Sequence, residues 1–285
     1  MKIAISGTSG YIARNLIVEL KEAHHEVVAI KRSTLYDIDQ LTELLTNTSV
    51  VINLAGAPIL TRWTKTSKNE IFRSRIDTTQ NIVKAINGIA SDKRPSLFIS
   101  ASAVGIYSSN ELHTEESTSF SNDFVGEIVK SWEKASEQLI PTVRKVIFRI
   151  GLILGKDAKT IQNLVPVFKM GLGGEIGSGK QPFPFIHISD VTKAIIWSIE
   201  NEKSQGIYNL VAPENIDNKT FTKTLAKRLN RHSFFTIPAF ALKILLGEAS
   251  TLLLQSPQVF PERLLNEGFV FSFPDIISSI EEIIQ

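Results

Sequence analysis

Near the amino end Gly7, Thr8, Ser9, Gly10, Tyr11, Ile12 and Ala13 spell G-x-x-G-x-x-A, between the strand-like KIAIS and the helical YIARNLIVELKEA. That spacing suits the holding of a pyrophosphate. One glycine permits a tight turn, another lets backbone N–H groups approach the phosphates, and a small third residue lets the helix pack on the strand. The helix then presents the positive end of its dipole to the anion. The next strand, EVVAI, runs into Lys31, Arg32 and Ser33. An acid at this point would bond a free ribose 2′-hydroxyl, whereas a cation accommodates a 2′-phosphate. Two cations and a hydroxyl, with no acid beside them in the sequence, favour NADP over NAD. The alternative is an ordinary solvated loop.

Metal chemistry finds no support. No two histidines have the i, i+4 spacing of a helical metal site, and no carboxylate run resembles a calcium loop. His24 and His25 adjoin a helix end and face solvent.

The elements that must position the loop alternate. KIAIS, EVVAI, SVVINLAG, SLFISAS and KVIFRIGLIL are apolar runs, separated by segments of helical period such as DIDQLTELL, IFRSRIDTTQNIVKAI and FVGEIVKSWEKASEQL. This order predicts an α/β fold, a Rossmann-type doubly wound parallel sheet with both faces buried. In the first helix Ile12, Leu16 and Leu20 form a stripe at fourfold spacing, which should face the core. From about residue 157 to 184 the sequence is rich in glycine and proline, then GIYNLV returns as a strand. We expect a nucleotide-binding core over 1–212, with an excursion near 157–184, and a smaller C-terminal lobe over 213–285 that binds substrate or a partner.

Composition narrows the function. The 285 residues are 43% hydrophobic, enough for a packed interior. With 31 lysines and arginines against 29 acids, the net charge of +2 is far from the basic surface of a nucleic-acid binder. There is no cysteine, which removes disulfides and thiolate chemistry and fits a cytoplasmic protein. MKIAISGTSG lacks the apolar core of a signal peptide. AFALKILLGEASTLLL is too short to span a bilayer and carries Lys243 and Glu248, so it reads as a buried or partner-facing helix rather than a membrane segment. The expected partner is a small molecule, with neither nucleic acid nor membrane; a dimer is possible.

ISGTSGYIA, INLAG, ISASAVGIY, FRIGLILG and GSGKQPFPFIHISD together resemble the extended branch of the short-chain dehydrogenase/reductase superfamily, which contains the nucleotide-sugar epimerases and dehydratases. INLAGAPILTRWT, SRIDTT, WEKA and LGEASTLLLQSPQVFPERLLNEGFVF resemble one atypical subgroup within it, the epimerase-family proteins, some of which carry a cell-division-inhibitor label. The resemblance covers essentially the whole chain. It implies that Leu54, Ala55, Gly56 and Ala101 line the cofactor, and that Ser102 matches the superfamily's catalytic serine; a hydroxyl bonding to backbone at a strand end is the other reading. The superfamily's Tyr-x-x-x-Lys pair, in which lysine lowers the tyrosine pKa from about 10, is missing. Aligned through Trp132 and Glu133, its two positions are Val125 and Val129. Tyr107 lies just beyond Ser102, as a candidate acid or an aromatic pocket lining. Tyr36 falls in a turn that reads as distant. Arg62, Trp63 and Lys68 fall in the loop expected to border a polar, anionic or nucleotide-linked substrate, or in a solvated loop. Arg75 could reach the cleft as an anion ligand or pair on the surface. Two functions stay open: an NADP-dependent oxidoreductase or epimerase-like enzyme, and a non-catalytic NADP-binding protein.

Overall fold

The computed structural model describes residues 1–109 and 111–285. Six strands form the central sheet: β1 (Lys2–Ser6), β2 (Glu26–Ile30), β3 (Val50–Asn53), β4 (Leu97–Ala103), β5 (Arg144–Ile150) and β6 (Gly206–Leu210). All pairs are parallel, in the order β6-β5-β4-β3-β1-β2. The sheet is therefore the doubly wound one expected from the alternating pattern. Its direction of winding reverses between β1 and β3, and ligands of such sheets bind outside the carboxyl ends of the strands at that reversal.

Alternation along the strands divides the core. Ile3, Ile5, Ile52 and Ile99 join one buried cluster; Ala4, Val51 and Phe98 join the other. Helix α1 (Tyr11–Glu22) covers the first face beside α7 (Ile188–Glu200), which follows in chain order after five others. Leu16 and Leu20 of the expected stripe are buried, as is Ala13, and Ile12 is half-buried against the same cluster. Helices α2 (Ile38–Leu45) and α4 (Ile76–Gly88) cover the second face.

The segment IFRSRIDTTQNIVKAI is not one helix. Helix α3 (Lys65–Arg73) stops at Ser74, and α4 begins after Arg75, its N-cap. After α5 (Phe124–Lys134) and α6 (Lys159–Lys169), the chain adds α8 (Asn218–Arg228), α9 (Ala239–Leu246), α10 (Thr251–Leu254), α11 (Glu262–Asn266) and α12 (Ile276–Ile283). Strand Gly174–Ile176 of the excursion pairs with Phe235–Ile237, and a separate apolar cluster joins Ile161 and Phe168 to Phe221, Leu225 and Ile280. Excursion and late helices thus share one small core. Leu264, Phe269 and Phe271 instead pack on the main sheet.

The apolar run after Pro238 breaks at Gly247, whose φ of +61° ends α9; a 3-10 turn (Gly247–Ser250) leads into α10. Helix α9 buries none of its residues, so of the two expectations for this run the buried helix fails. No helix among the described residues is long and apolar enough to cross a membrane.

At the start of α7, His187 is buried. Its Nδ1 accepts from Ser189 N–H (3.3 Å), and its Nε2 donates to Glu282 Oε2 of α12 (3.0 Å).

Candidate functional site

The glycine loop joins β1 to α1. Gly7 sits at φ +69°, and a Cβ there would lie 2.5 Å from the Leu54 carbonyl oxygen, so no other residue fits without moving the segment after β3. Gly10 differs: it is the N-cap of α1 in an extended conformation, and a Cβ there would meet only the Gly7 oxygen, at 3.0 Å. No side chain caps α1 and its first turn holds no acid. Its first N–H groups are therefore left without a side-chain acceptor, as anion binding at a helix start requires.

A buried polar chain fixes the loop's neighbours. Ser6 Oγ donates to Asn53 Oδ1 (2.6 Å) and accepts from the N–H groups of Leu54 (3.1 Å) and Ala55 (3.2 Å). Asn53 Nδ2 (2.8 Å) and Trp132 Nε1 (3.1 Å) both donate to Thr79 Oγ1. β1, β3, α4 and α5 are thereby tied behind the cleft. Sequence reasoning passed over Ser6, Asn53 and Thr79, because polar residues in a strand or helix do not announce that they face each other.

Gly7, Thr8, Ser9, Lys31, Arg32 and Gly56 border a cavity of about 280 Å³. Ala55 lines it too, whereas Leu54 packs beneath and Ala101 lies in the sheet core. Tyr36 is also on its wall, which corrects the reading of that turn as distant. Arg32 Nη2 lies 3.2 Å from Glu70 Oε1 of α3, with both side chains largely exposed. The sequence shows no acid beside Arg32; the fold supplies one from 38 residues away. Ser33 is the N-cap of the short turn Thr34–Tyr36 and is not on the cavity wall.

Arg75 sits at the break between α3 and α4. Its Nη2 donates to the Ala57 carbonyl (2.9 Å) and its Nη1 to that of Ile71 (3.2 Å); its guanidinium lies 5.3 Å from the Trp132 ring centre. Burial pushes its pKa down to about 10, and none of the ion pairs among the described residues includes it. The expected surface pairing is absent. Gly56 leaves it room, since a Cβ there would come within 3.2 Å of the guanidinium.

Beyond β4 the surroundings change. Ser102 Oγ donates to Glu133 Oε1 (2.6 Å), and Arg149 grips the same carboxylate twice, through Nε (2.8 Å) and Nη2 (2.7 Å). Arg149 Nη1 donates to the Tyr107 hydroxyl (2.7 Å), which itself donates toward Asn209 Oδ1 (2.8 Å), with the Thr114 carbonyl 3.1 Å away. Burial pushes the Tyr107 pKa up, against the pull of Arg149. Burial also opposes the charge on Arg149, but the Glu133 carboxylate outweighs it and holds the guanidinium above its ordinary pKa. Ser102 and Tyr107 thus meet through one buried ion pair rather than through an open pocket. Glu133 and Arg149 stand in WEKA and FRIG, but their pairing was not visible in either segment.

Val125 and Val129 belong to an apolar cluster with Val104, Ile106 and Val259. A Cβ on Gly105 would come within 2.7 Å of Val125, so the valine occupies the space directly against that turn. A narrow cavity of about 80 Å³ lies here, bordered by Tyr107, Asp123, Val125, Leu252 and Gln255. Trp63 donates through Nε1 to the Ile59 carbonyl (2.9 Å) and stands edge-on to Phe124 at 4.7 Å, with Lys68 Nζ 4.8 Å from the Phe124 ring. Lys68 stands in α3 rather than in the expected loop, and it pairs with Glu248, joining α3 to the 3-10 turn after α9. Arg62 is exposed beside this cluster.

The reversed winding at β1 and β3, the glycine turn and the uncapped α1 define a Rossmann-type α/β protein. The chain belongs to the NAD dependent epimerase/dehydratase family, whose model matches residues 3–210. A domain of unknown function (DUF1731) matches residues 237–283. The mouse epimerase family protein SDR39U1 is 33% identical over 294 residues, covering all of both chains. Its chloroplastic homologue from Arabidopsis thaliana is 32% identical, over all of this chain and 87% of its own. The crystal structure of human SDR39U1 with NADPH superposes with a TM-score of 0.92 at 31% identity, covering 100% of this chain and 99% of that one. With a chloroplastic relative, membership of the family does not place a protein in the cytoplasm.

Proposed function

We propose that the chain binds NADP(H) across the β1/β3 reversal and uses it for hydride exchange with a small polar substrate. The carrying observation is the uncapped start of α1 opening beside a cavity whose outer wall is Lys31 and Arg32. The cradle fits the cofactor: phosphates would lie on the α1 N–H groups, and Arg32 would turn from Glu70 to a 2′-phosphate. The fit agrees with the NADPH held by the human relative. When bound, the cofactor supplies the hydride. The chain supplies orientation, which is most of what hydride transfer asks of a protein. Arg75, desolvated and without a carboxylate, suits an anionic group of the substrate or the cofactor; Arg62 and Trp63 would border the substrate's far side.

A second reading, a non-catalytic NADP-binding protein, draws on the other half of the site. Val125 and Val129 fill the place of a proton-transfer pair with hydrocarbon, and Ser102 and Tyr107 have their hydroxyls committed to the Glu133–Arg149 pair. On this reading those two residues hold the strand ends in place.

One measurement tests the cofactor that both readings share, and a second separates them. Fluorescence titration should give a lower Kd for NADPH than for NADH; equal values remove the cofactor assignment. A turnover screen over polar carbonyl and nucleotide-linked substrates, followed by nicotinamide absorbance, supports the enzyme if any class consumes NADPH. Binding without consumption supports the second reading.

A further inference from the structure

The chain's cations are nearly balanced by acids overall, 31 against 29, but not everywhere. From Asn218 to Gly247 there are six lysines and arginines and no acid. The same stretch carries four of the five most exposed large apolar side chains among the described residues. Phe234 is 84% exposed, Ile244 72%, Leu245 69% and Phe240 67%. An apolar helix that buries nothing is not a stable arrangement in water, and a cluster of exposed apolar side chains on a soluble protein marks a contact face.

The two features meet at Phe234. Lys223, Lys227 and Arg231 border a shallow cleft together with Phe234. Phe235 begins the strand that runs to Ile237, and α9 starts two residues later with Lys243 one turn from Phe240 and beside Ile244. Lys219 is paired with Glu175, but Lys223, Lys227, Arg228 and Lys243 take part in none of the ion pairs among the described residues. Glu281 borders the far end of the face, in a cleft with Lys227 and Arg228.

We infer that this face, α9 with the Phe234–Phe235 turn and the cationic side of α8, docks on an anionic lipid surface. Charge decides between the candidate occupants. A second copy of the chain meeting itself across a two-fold axis would bring unpaired cations onto unpaired cations. A lipid surface with anionic headgroups complements them and takes in the phenylalanines and aliphatic side chains at headgroup depth, as interfacial helices do. The side chains that would enter are more than half exposed, which leaves them free to enter a fluid acceptor. The expectation of no membrane contact rested on the length of the apolar run, and length excludes a span, not a docked helix.

Co-flotation of the full chain, loaded with NADPH, tests this. Vesicles of phosphatidylcholine alone are compared with vesicles containing phosphatidylglycerol at roughly one part in three. The protein should float with the anionic vesicles and be released by salt, since exposed charges are screened within about 8 Å at 0.15 M ionic strength. F240S/I244S and K223E/K227E should each weaken binding about tenfold or more, while thermal unfolding and NADPH titration stay as in wild type. No flotation with the anionic vesicles overturns the inference, as does equal flotation with neutral ones or by the variants. Vesicle-free self-association that both double variants abolish would give the face to a second copy. Binding to an acidic polypeptide but not to vesicles would give it to a protein. Either result also overturns it.

Discussion

The two halves of the cleft are built in opposite ways. Around Gly7, Gly10 and Arg32 the polar groups are available: N–H groups without a side-chain acceptor, an exposed guanidinium held by an exchangeable surface pair, and a cavity of about 280 Å³. Around Ser102 and Tyr107 the polar groups are spent on each other, and the remaining space is lined with valine. The difference teaches that hydroxyls expected to do chemistry can have their hydrogen bonds taken up by one buried ion pair. An open polar group binds a ligand; a satisfied buried one defines a geometry.

The sharpest way to break this comparison is Arg149→Leu. It would leave the Glu133 carboxylate buried without its partner, and removing one side of a buried pair costs about 3–5 kcal/mol. Chemical denaturation should show a loss of that size, with NADPH affinity little changed in the folded fraction. A stable variant with damaged cofactor binding would mean that the pair belongs to the cofactor half.

Gly10→Val should act in the opposite sense. With the Gly7 oxygen 3.0 Å from its Cβ, the side chain asks the turn to give by a few tenths of an ångström and occupies the phosphate approach. We expect NADPH affinity to fall by about a hundredfold or more, the equivalent of roughly 2.7 kcal/mol, with a melting temperature near that of wild type. Gly7→Val, whose Cβ would strike the Leu54 carbonyl, should instead fail in stability. Similar outcomes for the two glycines would erase the distinction between a turn and a cradle.

Smaller effects sharpen the cofactor end. A charge-assisted hydrogen bond contributes about 1.5–3 kcal/mol, so Arg32→Ala should weaken NADPH about ten- to a hundredfold and leave NADH nearly unchanged. Glu70→Gln should do the reverse on a smaller scale. It frees Arg32 and removes a like charge from the 2′-phosphate's surroundings, so NADPH should tighten by a few-fold, because exposed pairs are worth about 0–1 kcal/mol. Titration of both variants with both nicotinamides checks the pair.

How far the sequence reached follows the same division. The six strands and the glycine loop were legible because apolar runs and G-x-x-G-x-x-A are local patterns with a single structural meaning. The broken helix at Arg75 was not, since Ser74 and Arg75 are tolerated inside helices and Arg75's bond to Ala57 joins residues 18 positions apart. Nor was Glu70 beside Arg32, or Glu133 between Ser102 and Arg149. Each is a contact between residues far apart in the chain, and periodicity carries no information about which exposed acid faces which cation. The apolar run at α9 shows the limit from the other side: its composition was plain, but whether it would be buried depended on what packed against it.

The buried imidazole at the start of α7 sets a proton linkage for the whole fold. Burial pushes the His187 pKa below its ordinary 6.5, although Glu282 opposes this, and the Ser189 N–H needs Nδ1 as an acceptor, so the folded chain keeps the ring neutral. The unfolded chain takes up the proton as the pH falls through 6.5, and stability is lost from there downward, at no more than about 1.4 kcal/mol per pH unit for this group. His187→Gln keeps an acceptor for Ser189 and a donor for Glu282 without a titrating ring. Its melting temperature should therefore decline less steeply than that of wild type on acidification just below pH 6.5, and parallel curves would show that the ring is not the group that titrates.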